Sequence, residues 1–193
     1  MIYLASASPR RQELLRQLGI AFEAVPADLI EARAAGETPE RYVARVAMDK
    51  ARHVARLMQQ RGAPPRPVLG ADTEVVLNGE VLGKPRDRAH GLAMLQTLQG
   101  RGHDVLTGIA LLHDGREYQV LSRSRVTFTS MTAAEIEHYW DSGEAADKAG
   151  AYAIQGRGAG FIERLEGSYS GVMGLPLFEL LQMFKRAGLV ASP

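Results

Sequence analysis

The chain contains no cysteine. That excludes a disulfide scaffold, a thiolate zinc site, an iron–sulfur cluster and a cysteine nucleophile. Aromatic residues are sparse, at 6%, too few for the stacking platform that holds single-stranded nucleic acid. A charge surplus is also missing. Lys plus Arg number 23 and Asp plus Glu 22, a formal charge of +1, whereas duplex nucleic acid and anionic membranes attract a basic excess. No apolar run approaches the ~18 residues of a membrane span. The opening stretch MIYLASASPRRQELL lacks the basic region that precedes the apolar core of a secretion signal. A cytoplasmic setting is expected, with neither nucleic acid nor membrane as partner.

What is present suits a globular protein. Apolar residues make up 46% and charged residues 23% of 193, the ordinary mix for such a chain. This length buries about 70% of the unfolded surface without a covalent staple. With no repeat, low-complexity tract or long linker, one domain over 1–193 is expected, and the Pro-rich stretch at 62–67 reads as a stiff loop.

Strands and helices alternate, which gives an α/β class. Strands are expected at 2–5 and 20–25, with a helix over 9–18 between them. Ser8 is placed as its N-cap, Pro9 as its first residue and Gly19 just past its end. Thr38-Pro39 opens a long helix to about residue 60, with Val43, Val46, Ala47, Val54, Leu57 and Met58 on its apolar side. Asn78-Gly79 joins strands at 68–77 and 80–82, and Asp114-Gly115 joins strands at 105–113 and 117–129. Helices follow at 88–98, at 132–140 behind a Thr132/Glu135 capping box, and at 176–188. The glycine-rich segment 147–174 is expected to hold strands near 151–155 and 159–163. The two hairpins imply a mixed sheet flanked by helices, forming two lobes around a central cleft.

Three places depart from their local pattern, as functional sites often do. Arg10 and Arg11 fall in the first turn of a helix, where they oppose the positive end of the helix dipole unless an anion sits there. With Ser8 they suggest a polyphosphate cradle; a capped helix with two solvated arginines fits the same pattern. Lys50 lies on the apolar side of its helix, so it snorkels, meets a carboxylate or enters a polar cleft. Asp72-Thr73 ends an apolar run, where an acid can hold a hard cation, act on a water, or cap a turn. Lys84 follows the hairpin, and Glu31, in an acidic loop, offers a second carboxylate. One or two carboxylates with substrate phosphates is a common magnesium arrangement. The five histidines show no ligand spacing, there is no Walker A sequence, and 156–160 has only the flexibility of a binding loop.

The ordered motifs resemble the Maf family of nucleotide pyrophosphatases. They are Ala5-Ser6-Ala7-Ser8-Pro9-Arg10-Arg11, Glu31, Lys50-Ala51, Gly70-Ala71-Asp72-Thr73, Gly83-Lys84-Pro85, Thr107-Gly108, the run from Asp147 to Gly156, Gly167-Ser168-Tyr169 and Val172-Met173-Gly174-Leu175-Pro176. The resemblance implies an inosine-triphosphate-pyrophosphatase-like fold and hydrolysis of a nucleoside triphosphate to the monophosphate and pyrophosphate with a divalent cation, Mg2+ or Mn2+. Arg10-Arg11, Asp72-Thr73 and Ile154-Gln155-Gly156 resemble the dTTP/UTP branch rather than the 7-methyl-GTP branch. In that resemblance Asp72 accepts the proton and Arg11, Thr73 and Gln155 bear on base selection. Two departures stand out: Ala7 where glycine is common, and Glu74 where an apolar or β-branched residue is usual. An extra acid beside Asp72 is expected to alter metal affinity.

The expectation is therefore a housecleaning pyrophosphatase on dTTP, UTP and modified pyrimidine nucleotides. Ser8, Arg10 and Arg11 hold the triphosphate, Lys50 and Lys84 neutralise it, Glu31 and Asp72 hold the cation, and Thr73 and Gln155 face the base. The family suggests a homodimer. The alternative is a regulatory protein linked to cell division that binds a triphosphate with little turnover.

Overall fold

The computed structural model describes residues 1–189; residues 190–193 of the expected single domain lie outside them. The elements run β1 (Ile2–Ala5), α1 (Pro9–Gln17), β2 (Phe22–Ala24), α2 (Pro39–Gln60), β3 (Val68–Leu77), β4 (Glu80–Val81), α3 (Arg88–Leu98), β5 (Gly102–His113), β6 (Arg116–Phe128), α4 (Ala133–Asp141), β7 (Ile162–Glu166), α5 (Tyr169–Val172) and α6 (Leu177–Arg186). The sheet is mixed, ordered β2-β1-β3-β5-β6-β7, with β4 against β3. β1 is parallel to β2 and β3, and the remaining pairs are antiparallel.

Both hairpins form at the expected dipeptides. Asn78 and Gly79 take φ 52° and 82°, Asp114 and Gly115 φ 47° and 71°, the positive pair that a two-residue turn demands. Thr38 accepts from Arg41 N at 3.3 Å to start α2, and the Thr132/Glu135 box starts α4. Each cap is worth roughly 1 kcal/mol.

β1 is buried on both faces. Ile2 and Leu4 pack with α1 and α6, whereas Tyr3 and Ala5 pack under α2. α2 lies unusually close to the sheet. A Cβ at Gly70 would stand 2.1 Å from Ala47 O, and one at Gly108 2.8 Å from Val43 O, so only glycine fits beneath the helix backbone. On the opposite face two apolar clusters stand apart. One joins Leu14, Leu15, Leu180, Met183 and Phe184; the other joins Met94, Leu95, Leu98, Ile136 and Tyr139. A cavity opens between the two, which realises the expected lobes.

The 147–174 segment differs from expectation. Residues 149–151 form a 3-10 turn in which Gly150 and Ala151 both take positive φ, 69° and 60°, a pair no strand accommodates. Residues 157–161 form a second 3-10 turn, and β7 begins only at Ile162. A short helix, α5, follows that the pattern did not signal. Ser8 precedes α1 but its side chain makes no capping bond; instead its N–H donates to Ser6 Oγ at 3.2 Å. No helix among the described residues is long and apolar enough to cross a membrane.

Candidate active site

The cavity sits at an interruption in the edge of β3. On that edge β1 pairs with β3 only up to Gly70, and β4 joins it only from Val76. On its other edge β3 is paired to β5 from Val68 to Val76 without a break. Among the described residues, Ala71 to Glu74 therefore have no strand partner on the open side, and Asp72, Thr73 and Glu74 all line the cavity. Its volume of about 610 Å3 falls within the range of small-ligand sites. It lies beyond the carboxyl end of β1, where open α/β sheets bind ligands.

Asp72 is 4% exposed. Lys50, one turn along α2 from the Ala47 contact, reaches across Gly70 to Asp72 Oδ1 at 2.8 Å and to Glu31 at 2.9 Å. This answers the anomaly of a lysine on an apolar helix face: it is paired with two carboxylates and does not snorkel. Asp72 Oδ2 is buried with no hydrogen-bond partner, and so is Glu74 Oε2. Burial first, then Asp72 and Glu31, pushes the Glu74 carboxyl up to about 8. Two carboxylates thus meet one buried ammonium, with the Glu74 carboxyl held close by, an acid-rich environment that favours an added cation. Among the described residues no three His, Asp or Glu side chains gather as a metal cluster, so the protein can supply one or two ligands and phosphate or water the rest.

The other wall is the N-terminus of α1. It has no acidic residue in its first turn and no side-chain cap, so its N–H groups remain open to an anion. Ser8, Arg10 and Arg11 line the cavity there. Burial lowers both arginine pKa values; for Arg10 the charges of Asp147, Tyr139 and Glu144 work against it. Arg11 is committed to the protein: its guanidinium donates to Gly174 O, Ser6 Oγ and Thr73 Oγ1 at 2.9, 3.1 and 3.1 Å. Behind it, Thr107 Oγ1 donates to Gly171 O at 2.7 Å and contacts Thr73 Oγ1 at 2.9 Å. The Thr107 proton is already used, so the proton between the threonines belongs to Thr73. In this arrangement the Thr73 proton is engaged by Thr107 and its oxygen accepts from Arg11, so Thr73 is tied into the Arg11 network.

Lys84 lines the cavity from the far side, its loop tied by Gly150 N to Gly83 O at 2.8 Å. Gln155 does not join this group. It is exposed and outside the lining, although its neighbour Ile154 is part of it. The following glycine-rich turn is no loose binding loop either. Glu144 accepts from Arg157 N, Gly158 N and Tyr139 Oη at 2.8, 3.0 and 2.8 Å and pins it. Besides Glu74, the lining contains Asp147 and Lys148, which pair with each other; the sequence motif contained both but gave neither a role.

A family model described as Maf-like protein matches residues 1–187. A dTTP/UTP pyrophosphatase of Alkalilimnicola ehrlichii is 56% identical over 94% of this chain and 90% of its own. One of Cupriavidus pinatubonensis is 52% identical over 97% of each chain. Among solved structures, the Ham1 protein of Staphylococcus aureus aligns over 66% of this chain and 71% of its own at 16% identity, with a TM-score of 0.44. With Arg10, Arg11, Lys50, Asp72 and Lys84 of its motifs lining one cavity and its match running from residue 1 to 187, the chain belongs to the Maf-like protein family.

Proposed function

We propose that this chain hydrolyses dTTP and UTP to the monophosphate and pyrophosphate with Mg2+ or Mn2+; the relatives named dTTP/UTP pyrophosphatase support the reaction, and the carboxylates at the gap in β3 support the cation. One observation carries the chemistry: Asp72 lines the cavity with one oxygen fixed by Lys50 and the other buried and unpartnered. A carboxylate so held is oriented to receive a proton.

The triphosphate lies against the open N-terminus of α1, with Ser8 and Arg10 as its side-chain partners and Arg11 as a fixed positive wall behind it. Lys84 meets the phosphate chain from the opposite side, and Lys50 keeps Asp72 in place. Water attacks the α-phosphorus and its proton passes to Asp72 Oδ2. The bond to the bridging oxygen breaks, and pyrophosphate leaves with that oxygen, its growing charge met by Arg10 and Lys84. A bound divalent cation would draw charge from the phosphate oxygens; Asp72, Glu31 and Glu74 are the carboxylates available to hold it. Val75, Tyr152 and Ile154 form an apolar wall suited to a base. Gln155 is exposed and outside the cavity lining, so Gln155→Glu is expected to leave base preference unchanged. The same reading includes a homodimer in the cytoplasm, the first checked by light scattering.

The test is incubation with dTTP, UTP, CTP, GTP, 7-methyl-GTP and ITP, with and without Mg2+ or Mn2+, measuring pyrophosphate against orthophosphate. Cation-dependent pyrophosphate release concentrated on dTTP and UTP is the expected result. Turnover on another base overturns the substrate assignment. Tight binding without turnover overturns the hydrolase in favour of a regulatory role.

A further inference from the structure

Asp72 has two tasks in this reading, to take the water's proton and to help hold the cation. Lys50 fixes Oδ1 at 2.8 Å, and Oδ2 is the oxygen with no hydrogen-bond partner, so both tasks draw mainly on that one atom. Glu74 removes the conflict. It stands two residues along β3, so its side chain leaves the same face of the strand. It is 9% exposed, lines the same cavity, and carries a buried oxygen, Oε2, without a hydrogen-bond partner. Lys50 is already shared between Asp72 and Glu31, and among the described residues no ion pair reaches Glu74. Packing gives no reason for an acid there, since the next residue on that face, Val76, sits in an apolar cluster with Tyr42 and Val43. A buried, unpaired carboxylate is costly unless a ligand compensates it.

We propose that Glu74 is the buried carboxylate that holds the divalent cation, and that Asp72 Oδ2 is thereby free to take the proton. The proposal rests on the hydrolase reading above. Glu74 supplies one oxygen, and phosphate oxygens and water complete the shell, as is usual for a hard cation bound with a phosphorylated substrate.

The test is Mn2+ binding to the full chain, followed by electron paramagnetic resonance with and without α,β-methylene-dUTP. Glu74→Gln is expected to weaken Mn2+ binding at least about tenfold, a loss typical of damage to a metal site. Asp72→Asn is expected to retain Mn2+ affinity within about threefold while losing turnover. Circular-dichroism melts establish that both variants are folded. Unchanged Mn2+ affinity in Glu74→Gln overturns the proposal, and so does an equal loss in both variants. Pyrophosphate release by the wild-type chain is read separately. If it is present and Mn2+-dependent while Glu74→Gln binds Mn2+ normally, only the Glu74 assignment fails. If it is absent, the hydrolase reading fails.

Discussion

Arg11 and Gly174 are 163 positions apart in the chain and meet at 2.9 Å, the Nε–H donating to the glycine carbonyl. Gly174 takes φ 111°, and a Cβ on it would stand 3.4 Å from both Arg11 Nε and Thr73 Oγ1. The contact ties the start of α1 to the turn before α6 and makes Arg11 a strut between elements that flank the cavity. A strut needs a fixed geometry that lysine does not reproduce.

Thr73 supports this strut through its hydroxyl. Thr73→Ser keeps the acceptor and the proton, whereas Thr73→Val removes both. Bonds to charged groups are worth about 1.5–3 kcal/mol. Thr73→Val is therefore expected to lower kcat/KM for UTP roughly 10- to 100-fold, with serine near wild type. The dTTP-to-GTP rate ratio should stay constant in both. A changed ratio would return Thr73 to direct contact with the base.

Asp72→Asn retains an oxygen for Lys50 and loses the proton acceptor. Pyrophosphate release should fall by about 10²–10⁴, the usual size of a general-base contribution, with little change in urea midpoint. Near-normal turnover would remove Asp72 from the chemistry.

Lys50→Met leaves the buried Asp72 and the exposed Glu31 without their ammonium. Breaking one side of a buried pair typically costs about 3–5 kcal/mol. A clear drop in melting temperature at pH 7.5 is expected, alongside lost activity. A variant as stable as wild type would show that Lys50 contributes no net stability to this cluster.

Glu74 makes stability depend on pH. Its folded-state carboxyl is raised from 4.5 to about 8, so between those values the native chain holds a proton that the unfolded chain has released. Stability must fall as pH rises through this window, by up to about 1.4 kcal/mol per pH unit. In EDTA, Glu74→Gln should match wild type near pH 4 and become progressively more stable than it toward pH 8. Parallel urea midpoints across the range would contradict this.

His103 produces the opposite slope. Burial, with a smaller push from Arg125, lowers it from 6.5 to about 4, and its Nε2 lies 2.8 Å from Tyr152 Oη. As pH falls below 6.5 the unfolded chain takes up a proton that the native chain refuses, so stability is lost down to about pH 4. Imidazole NMR signals should show His103 still neutral at pH 5, and titration near 6.5 would refute the assignment.

Much of this site was legible in the sequence because its anomalies were local. Lys50 on an apolar helix face, two arginines at a helix start and an acid interrupting an apolar run are each visible within a few residues, although Asp72 stands inside β3 and not at its end. The hairpins and capped helices were legible for the same reason. The gap in the edge of β3 was not, since it depends on where β1 stops pairing and where β4 starts. Ser8 looked like a cap because composition does not reveal that its N–H turns to Ser6. The strand expected at 151–155 failed on backbone handedness: Ala151 takes φ 60°, which an alanine rarely signals. Glu74 was visible as a departure, but only burial exposed its unpaired oxygen.

The interruption beside β3 also sets what can move. Asp72 and Glu74 are anchored to β5 along a continuous ladder, and α2 presses directly on that ladder through Gly70 and Gly108. Arg10 and Lys84 belong instead to the two banks of the gap, one after β1 and the other after β4. A change in the width of the gap would therefore alter the distance between Arg10 and Lys84 without requiring Asp72 and Lys50 to shift. The unbroken strand keeps the acid and its lysine in one rigid unit, and the two cations at the rim belong to separate ones.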